Sequence, residues 1–114
     1  MFLDYEAYEY YVRPGVTDMR KGTETLLSLV TEEMSLDPFA KSMFLFCSRG
    51  RNRLKVLVWD DGFWLMQKRL PKGTFAWPRD GGEARMLTSA DVRRLLAGED
   101  VFRRIPSLEK HYII

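Results

Sequence analysis

One histidine and one cysteine are too few for most of the chemistry that small proteins perform with these side chains. With His111 as the only imidazole there is no paired-histidine or histidine–cysteine spacing for zinc and no Ser-His-Asp triad. With Cys47 as the only thiol there is no disulfide framework, and its place in the apolar run Met43-Phe44-Leu45-Phe46-Cys47 predicts a small buried hydrophobe in a cytoplasmic protein. Apolar runs reach only about six residues, against the roughly 20 needed to span a bilayer, so no membrane is expected as a partner. Met1-Phe2-Leu3-Asp4 shows no basic region followed by an apolar one, hence no visible export signal. Repeats, low-complexity tracts and linkers are absent too.

Carboxylates are present but poorly arranged for catalysis. The best assembly is Asp18, Asp60, Asp61 and Glu83, whereas metal-dependent strand cleavage needs two or three that converge. Each has a plainer role: Asp18 at a helix start, Asp60 and Asp61 in a turn, Glu83 in a loop after Gly81-Gly82. No Asp-x-Lys or Glu-x-Lys element occurs, and Gly50, Gly62, Gly73, Gly81 and Gly82 read as separate turns rather than a phosphate loop. The residues therefore predict no catalytic centre, no metal and no cofactor.

What is present is a compact-domain composition: 114 residues, 46% hydrophobic and 13% aromatic, enough for one core and one domain over 1–114. Tyr8, Tyr10 and Val12 alternate with Glu9, Tyr11 and Arg13, the period of a half-buried strand that Pro14-Gly15 ends. Thr17 as N-cap and an apolar stripe from Met19 to Met34 predict a helix near 18–34, with Gly22 inside it. Met43 to Ser48, apolar on both faces, predicts a central strand. After it come a hairpin, a short segment at 74–77, an edge strand near 84–87, and a second helix that starts at Thr88-Ser89-Ala90-Asp91 and stops at Gly98. The tail 101–114 has no period and stays unassigned. The fold class that follows is α+β, a mainly antiparallel sheet with a central hairpin and two helices.

The hairpin is where the charge gathers. Leu54-Lys55-Val56-Leu57-Val58-Trp59 and Phe63-Trp64-Leu65-Met66-Gln67-Lys68-Arg69 flank Asp60-Asp61-Gly62, a strong turn signal. A two-residue turn would set Lys55 against Lys68; a three-residue turn with a bulge would set Lys55 against Gln67 and Arg53 against Arg69. Either register collects Arg53, Lys55, Lys68 and Arg69 at the open end, beside the loop carrying Arg49 and Arg51 and ahead of Lys72. From Arg49 to Arg79 there are 8 basic and 2 acidic residues, a net of +6, although the whole chain is only +2. The remainder is thus net −4. Such polarity suits docking by one face on a phosphate backbone or an acidic protein; the alternative is a solvated surface neutralised from within, for instance by Glu32 and Glu33. Arg20 and Lys21, unfavourable to the dipole at a helix start, would extend the same surface if the helix began over the basic end.

The aromatics have two readings. Trp59, Trp64, Phe63, Phe75 and Trp77 have the composition of a stacking platform for single strands, but a domain of this size needs most of its large rings inside. In the bulged register Leu54, Val56, Val58, Trp64 and Met66 form the more continuously apolar face, which predicts Trp59 and Phe63 as the candidates for exposure and stacking, with Trp59 more exposed than Trp64.

Several motifs in order carry a resemblance: Thr17-Asp18-Met19-Arg20-Lys21-Gly22, Leu36-Asp37-Pro38-Phe39, Arg53-Leu54-Lys55 with Trp59-Asp60, Gly62-Phe63-Trp64 with Lys68-Arg69-Leu70, and Lys72-Gly73 with Phe75-Ala76-Trp77-Pro78. The chain resembles the TnpB accessory proteins of IS-66-type bacterial insertion sequences, through Leu95-Leu96-Ala97-Gly98 and fading after Asp100. Thr25 stands where that family commonly has a second glycine. The resemblance implies an accessory component encoded beside a small TnpA-type protein and a large transposase that bears the catalytic carboxylates. A non-catalytic factor in DNA transposition is therefore expected, binding transposon ends or bridging them to the transposase through Arg20, Lys21, Arg49, Arg51, Arg53, Lys55, Trp59, Lys68, Arg69 and Lys72. The alternatives are an adaptor that touches the transposase alone and, further off, a nuclease.

Overall fold

The computed structural model describes residues 4–85 and 87–102. Its centre is a four-stranded sheet in the order β1 (Glu9–Val12), β2 (Ser42–Cys47), β3 (Arg53–Trp59), β4 (Phe63–Arg69). β1 runs parallel to β2, and β2–β3 and β3–β4 are antiparallel. The sheet is thus mixed but mostly antiparallel. The parallel pair exists because a helical crossover joins β1 to β2: α1 (Thr23–Ser28), prolonged by one π-helical stretch, Leu29–Glu33.

Strand alternation sorts the apolar residues into two cores. Met43, Leu45, Cys47, Leu54 and Val58 face one side, where Val92 and Leu95 of α3 (Ser89–Leu96) and the rings of Phe75 and Trp77 cover them. Phe44, Phe46 and Leu57 face the other, beneath Leu26 and Val30 of the crossover helix. Every residue of β2 is buried, as its two-sided apolar sequence requires. Tyr10 and Val12 join the first core and Tyr11 the second, the division that the alternation in the first strand predicts.

Two elements differ from the sequence reading. The first helix begins at Thr23, with Gly22 as its N-cap, because Thr17 is spent elsewhere: its N–H donates to the Cys47 carbonyl (2.8 Å) and its buried hydroxyl accepts from Arg13 (2.8 Å). Asp18 does not cap that helix either; its carboxylate accepts the Arg20 N–H (2.9 Å) and closes a turn over 18–21. The expected edge strand near 84–87 is instead a third helix, α2 (Gly81–Arg85). Asp80 accepts the Glu83 N–H (2.9 Å) while Glu83 reaches back to the Arg79 N–H (2.7 Å), a capping exchange at Asp-x-x-Glu spacing that outweighs the low helix propensity of two glycines. The second predicted helix, α3, has its full capping box, Thr88 with Asp91, and Gly98 at φ 91° turns the chain at its end. Residues 103–114, most of the unassigned tail and His111 with it, lie outside the described residues. Among the described residues, no helix is long and apolar enough to cross a membrane.

Candidate nucleic-acid interface

The hairpin adopts the three-residue turn: Trp59 pairs with Phe63, Lys55 with Gln67 and Arg53 with Arg69. Asp61 and Gly62 take positive φ, 53° and 155°, so the turn needs one residue that tolerates the left-handed region and one without a Cβ. This register places two guanidinium side chains directly opposite each other at the open end. Arg53 and Arg69 are both exposed, and so are Arg49, Arg51 and Lys72 in the adjoining loops. Among the described residues none of these five forms a salt bridge. Glu33, a candidate neutraliser, binds Arg13 instead (2.8 Å), and Arg79 is taken by Glu83 (3.0 Å).

The loop that presents Arg49 and Arg51 is held by its backbone. Ser48 donates to the Arg53 carbonyl (2.9 Å) and Arg51 to the Ser48 carbonyl (3.0 Å), with Arg51 itself at φ 57°. From the far side, Leu70 donates to Asn52 (2.8 Å) and Phe75 to Arg51 (2.6 Å). These bonds anchor both ends of the segment to the fold, and the Arg49 and Arg51 side chains are exposed.

The two hairpin lysines are employed structurally and part company. Lys55 shares the crossover-helix face with Arg53 and Arg69; its half-buried ammonium donates to the carbonyls of Met19 (2.8 Å) and Lys21 (2.9 Å), which ties the 18–22 turn onto the sheet. Lys68, one residue out of phase, lies on the α3 face, where it donates to the Leu96 carbonyl (2.7 Å) at the helix C-terminus, a favourable place for a cation. The structure brings Arg20, Lys21, Arg49, Arg51, Arg53, Lys55, Arg69 and Lys72 to one end of the molecule and leaves Lys68 across the sheet.

Because Lys55 pins the 18–22 turn there, an open groove of about 740 Å³ forms between that turn and the 48–53 loop, with Asp18, Arg20, Arg49 and Arg53 among its walls. Asp18 sits inside this basic groove and is held by Arg20 (2.7 Å), whose guanidinium, together with the Arg20 backbone N–H, hydrogen-bonds the carboxyl and keeps it far below the usual carboxylate range. The same contact pushes the already high pKa of Arg20 further up. Arg20 is therefore fully charged but already has an internal anion, and Lys21 is half-buried with its carbonyl committed to Lys55.

The aromatic residues lie at the other end of the hairpin. Six strand steps separate Arg53 from Trp59, about 20 Å at the usual rise per residue. Trp59 is half-buried between Phe63 (centroids 4.9 Å apart) and Phe39 (5.0 Å), whereas Trp64 is 43% exposed with its indole N–H on Asp60 (3.3 Å). The predicted order of exposure is reversed, because the loop carrying Phe39 folds over Trp59 while Trp64 stays exposed. Phe75 and Trp77 are core residues. The sequence reading missed Phe39, though Asp37-Pro38-Phe39 carries a signal: Asp37 accepts the Phe39 N–H (2.9 Å) in a tight turn and lifts the ring outward.

The four carboxylates weighed above are dispersed. Asp18 lies in the basic groove, Asp60 and Asp61 at the hairpin tip, and Glu83 on α2 with Arg79; among the described residues no three potential ligands group to hold a metal ion.

The family model described as IS66 Orf2 like protein matches residues 8–105. A protein of Sinorhizobium fredii (strain NBRC 101917 / NGR234) named uncharacterized protein y4hO is 38% identical over 92 residues, which cover 79% of this chain and 79% of that one. A second from the same strain, uncharacterized protein y4jC, is 31% identical over 84 residues, 73% of this chain and 72% of its own length. No solved structure matches.

Proposed function

The chain belongs to the family of IS66 Orf2-like proteins, accessory proteins associated with transposition, and on that premise we propose that it binds transposon-end DNA through its basic end and presents that DNA to the cognate transposase. One observation carries the reading: five exposed cations, the opposed pair Arg53 and Arg69 with Arg49, Arg51 and Lys72 beside it, gather at one end with no salt bridge among the described residues. Opposed like charges destabilise a sheet, and an external polyanion removes the cost by filling the space between them. The partners in this reading are DNA, the transposase and the small TnpA-type protein, and the role is non-catalytic. The strand chemistry belongs to the transposase.

The test is binding of the purified protein to single-stranded, duplex and transposon-end DNA over a salt series, with and without the transposase. Five phosphate contacts give a log–log slope of about −4.5 on duplex and about −3.5 on single strands. Salt-independent affinity, or no binding at low salt in either the presence or the absence of the transposase, sinks the proposal. Strands should stay uncut in Mg²⁺ or Mn²⁺; nicking that disappears in Asp60→Ala or Glu83→Ala would overturn the non-catalytic role.

A further inference from the structure

The hairpin tip combines two features that neither the fold nor the basic end explains. Phe39, Trp59 and Phe63 form a three-ring cluster, with Phe39 and Phe63 centroids 5.4 Å apart, and Phe39 is 57% exposed. Around the rings stand Asp37, Asp60 and Asp61, all exposed and none in a salt bridge among the described residues. The nearest lysine in sequence, Lys41, lies over the Tyr8 ring (5.6 Å). An exposed ring backed by two half-buried ones and edged with carboxylates outside any salt bridge among the described residues makes a surface of negative potential, since the face of each ring is itself the negative pole of a quadrupole. That combination attracts guanidinium groups, which stack on rings and pair with carboxylates at once, and it repels phosphate.

We propose that this tip is a docking surface for an arginine-bearing segment of a partner protein. The surface lies about 20 Å along the strands from Arg53, so the two ends of the hairpin address opposite charges. Single-stranded DNA is the occupant that the rings alone would suggest, but its phosphates would meet three carboxylates that no salt bridge among the described residues neutralises. The inference does not depend on DNA binding at the basic end, because it uses none of those residues.

The test follows the indole N–H signal of Trp59 by NMR, assigned with Trp59→Phe, Trp64→Phe and Trp77→Phe variants, during titration with hexa-arginine and, separately, with an oligodeoxythymidine of about ten nucleotides. Hexa-arginine should move the Trp59 signal, and its apparent affinity should fall roughly fivefold or more in Phe39→Ala and again in the triple variant Asp37→Asn, Asp60→Asn, Asp61→Asn. Asparagine keeps the turn bonds and tolerates the positive φ of residue 61, so the triple variant loses charge rather than shape. Denaturation curves check that both variants fold. The Arg53→Gln, Arg69→Gln variant should leave this readout unchanged. Hexa-arginine affinity at Trp59 that is indifferent to both tip variants overturns the proposal, and so does oligodeoxythymidine that moves the Trp59 signal in a Phe39-dependent way, which would make the tip a base-stacking platform instead.

Discussion

Replacing Arg53 and Arg69 together by glutamine should weaken DNA binding while making the fold slightly more stable. The two side chains are direct partners across β3 and β4 and both are exposed. Side-chain carbons of opposed residues lie about 5 Å apart, and guanidinium heads that splay to about 7 Å still repel by about 0.5 kcal/mol in a solvent-like dielectric. With a screening length of about 30 Å at 0.01 M salt and about 8 Å at 0.15 M, the gain on removing the pair should be near that figure at low salt and less than half of it at physiological salt. Glutamine keeps the aliphatic stems over the sheet, so little packing is lost. On the binding side, two fewer phosphate contacts change the expected duplex slope from about −4.5 to about −2.7. Between 50 and 200 mM salt, affinity should then fall about 500-fold for the parent and about 40-fold for the variant. The assays are urea denaturation at two salt concentrations and fluorescence anisotropy of a labelled duplex across the series. A variant that is less stable at low salt would show that the pair is held by something within the fold, and a parent-like slope would falsify the assignment of these two arginines to phosphate.

Other outcomes follow from individual contacts. Trp59→Ala should destabilise the fold by about 1–3 kcal/mol, because a half-buried ring leaves contacts with Phe39 and Phe63 behind, whereas Trp64→Ala should cost no more than about 1 kcal/mol; equal losses in chemical denaturation would contradict the exposure order. Asp18→Asn releases Arg20 into the groove, so the duplex slope should steepen by about 0.9 and low-salt affinity should rise; an unchanged salt series would place Arg20 away from the DNA. Cys47 is fully buried, and burial pushes its thiol up to about 11, so a thiol reagent should react only through unfolding. Because the folded value lies above the ordinary thiol value of 9.0, this thiol's contribution to stability is complete below that pH and declines as pH rises toward 11, which alkaline denaturation curves of parent and Cys47→Ala can read. Rapid modification of the folded protein at neutral pH would contradict the burial.

Composition and periodicity were sufficient for the α+β class, the fully buried β2, the hairpin, the capped α3 and the charge polarity, because each depends on neighbours in sequence: alternation, a cap three residues from its partner, a turn that needs positive φ. The family resemblance was legible for the same reason, being a string of short local motifs in order. What sequence left open or misplaced depends on contacts across the fold. The hairpin register was one of two until the sheet paired Arg53 with Arg69. Lys55 and Lys68 read alike in sequence, yet one residue of phase puts them on opposite faces, both spent on distant carbonyls. The first helix starts six residues after Thr17 because a hydrogen bond to Cys47, thirty residues on, claims the expected cap. Trp59 was expected outside and Trp64 inside, and the order reversed because Phe39, twenty residues upstream of Trp59, folds over it. Local rules state which side chains can share a face; only tertiary packing decides what covers that face and which charges remain unpaired on it.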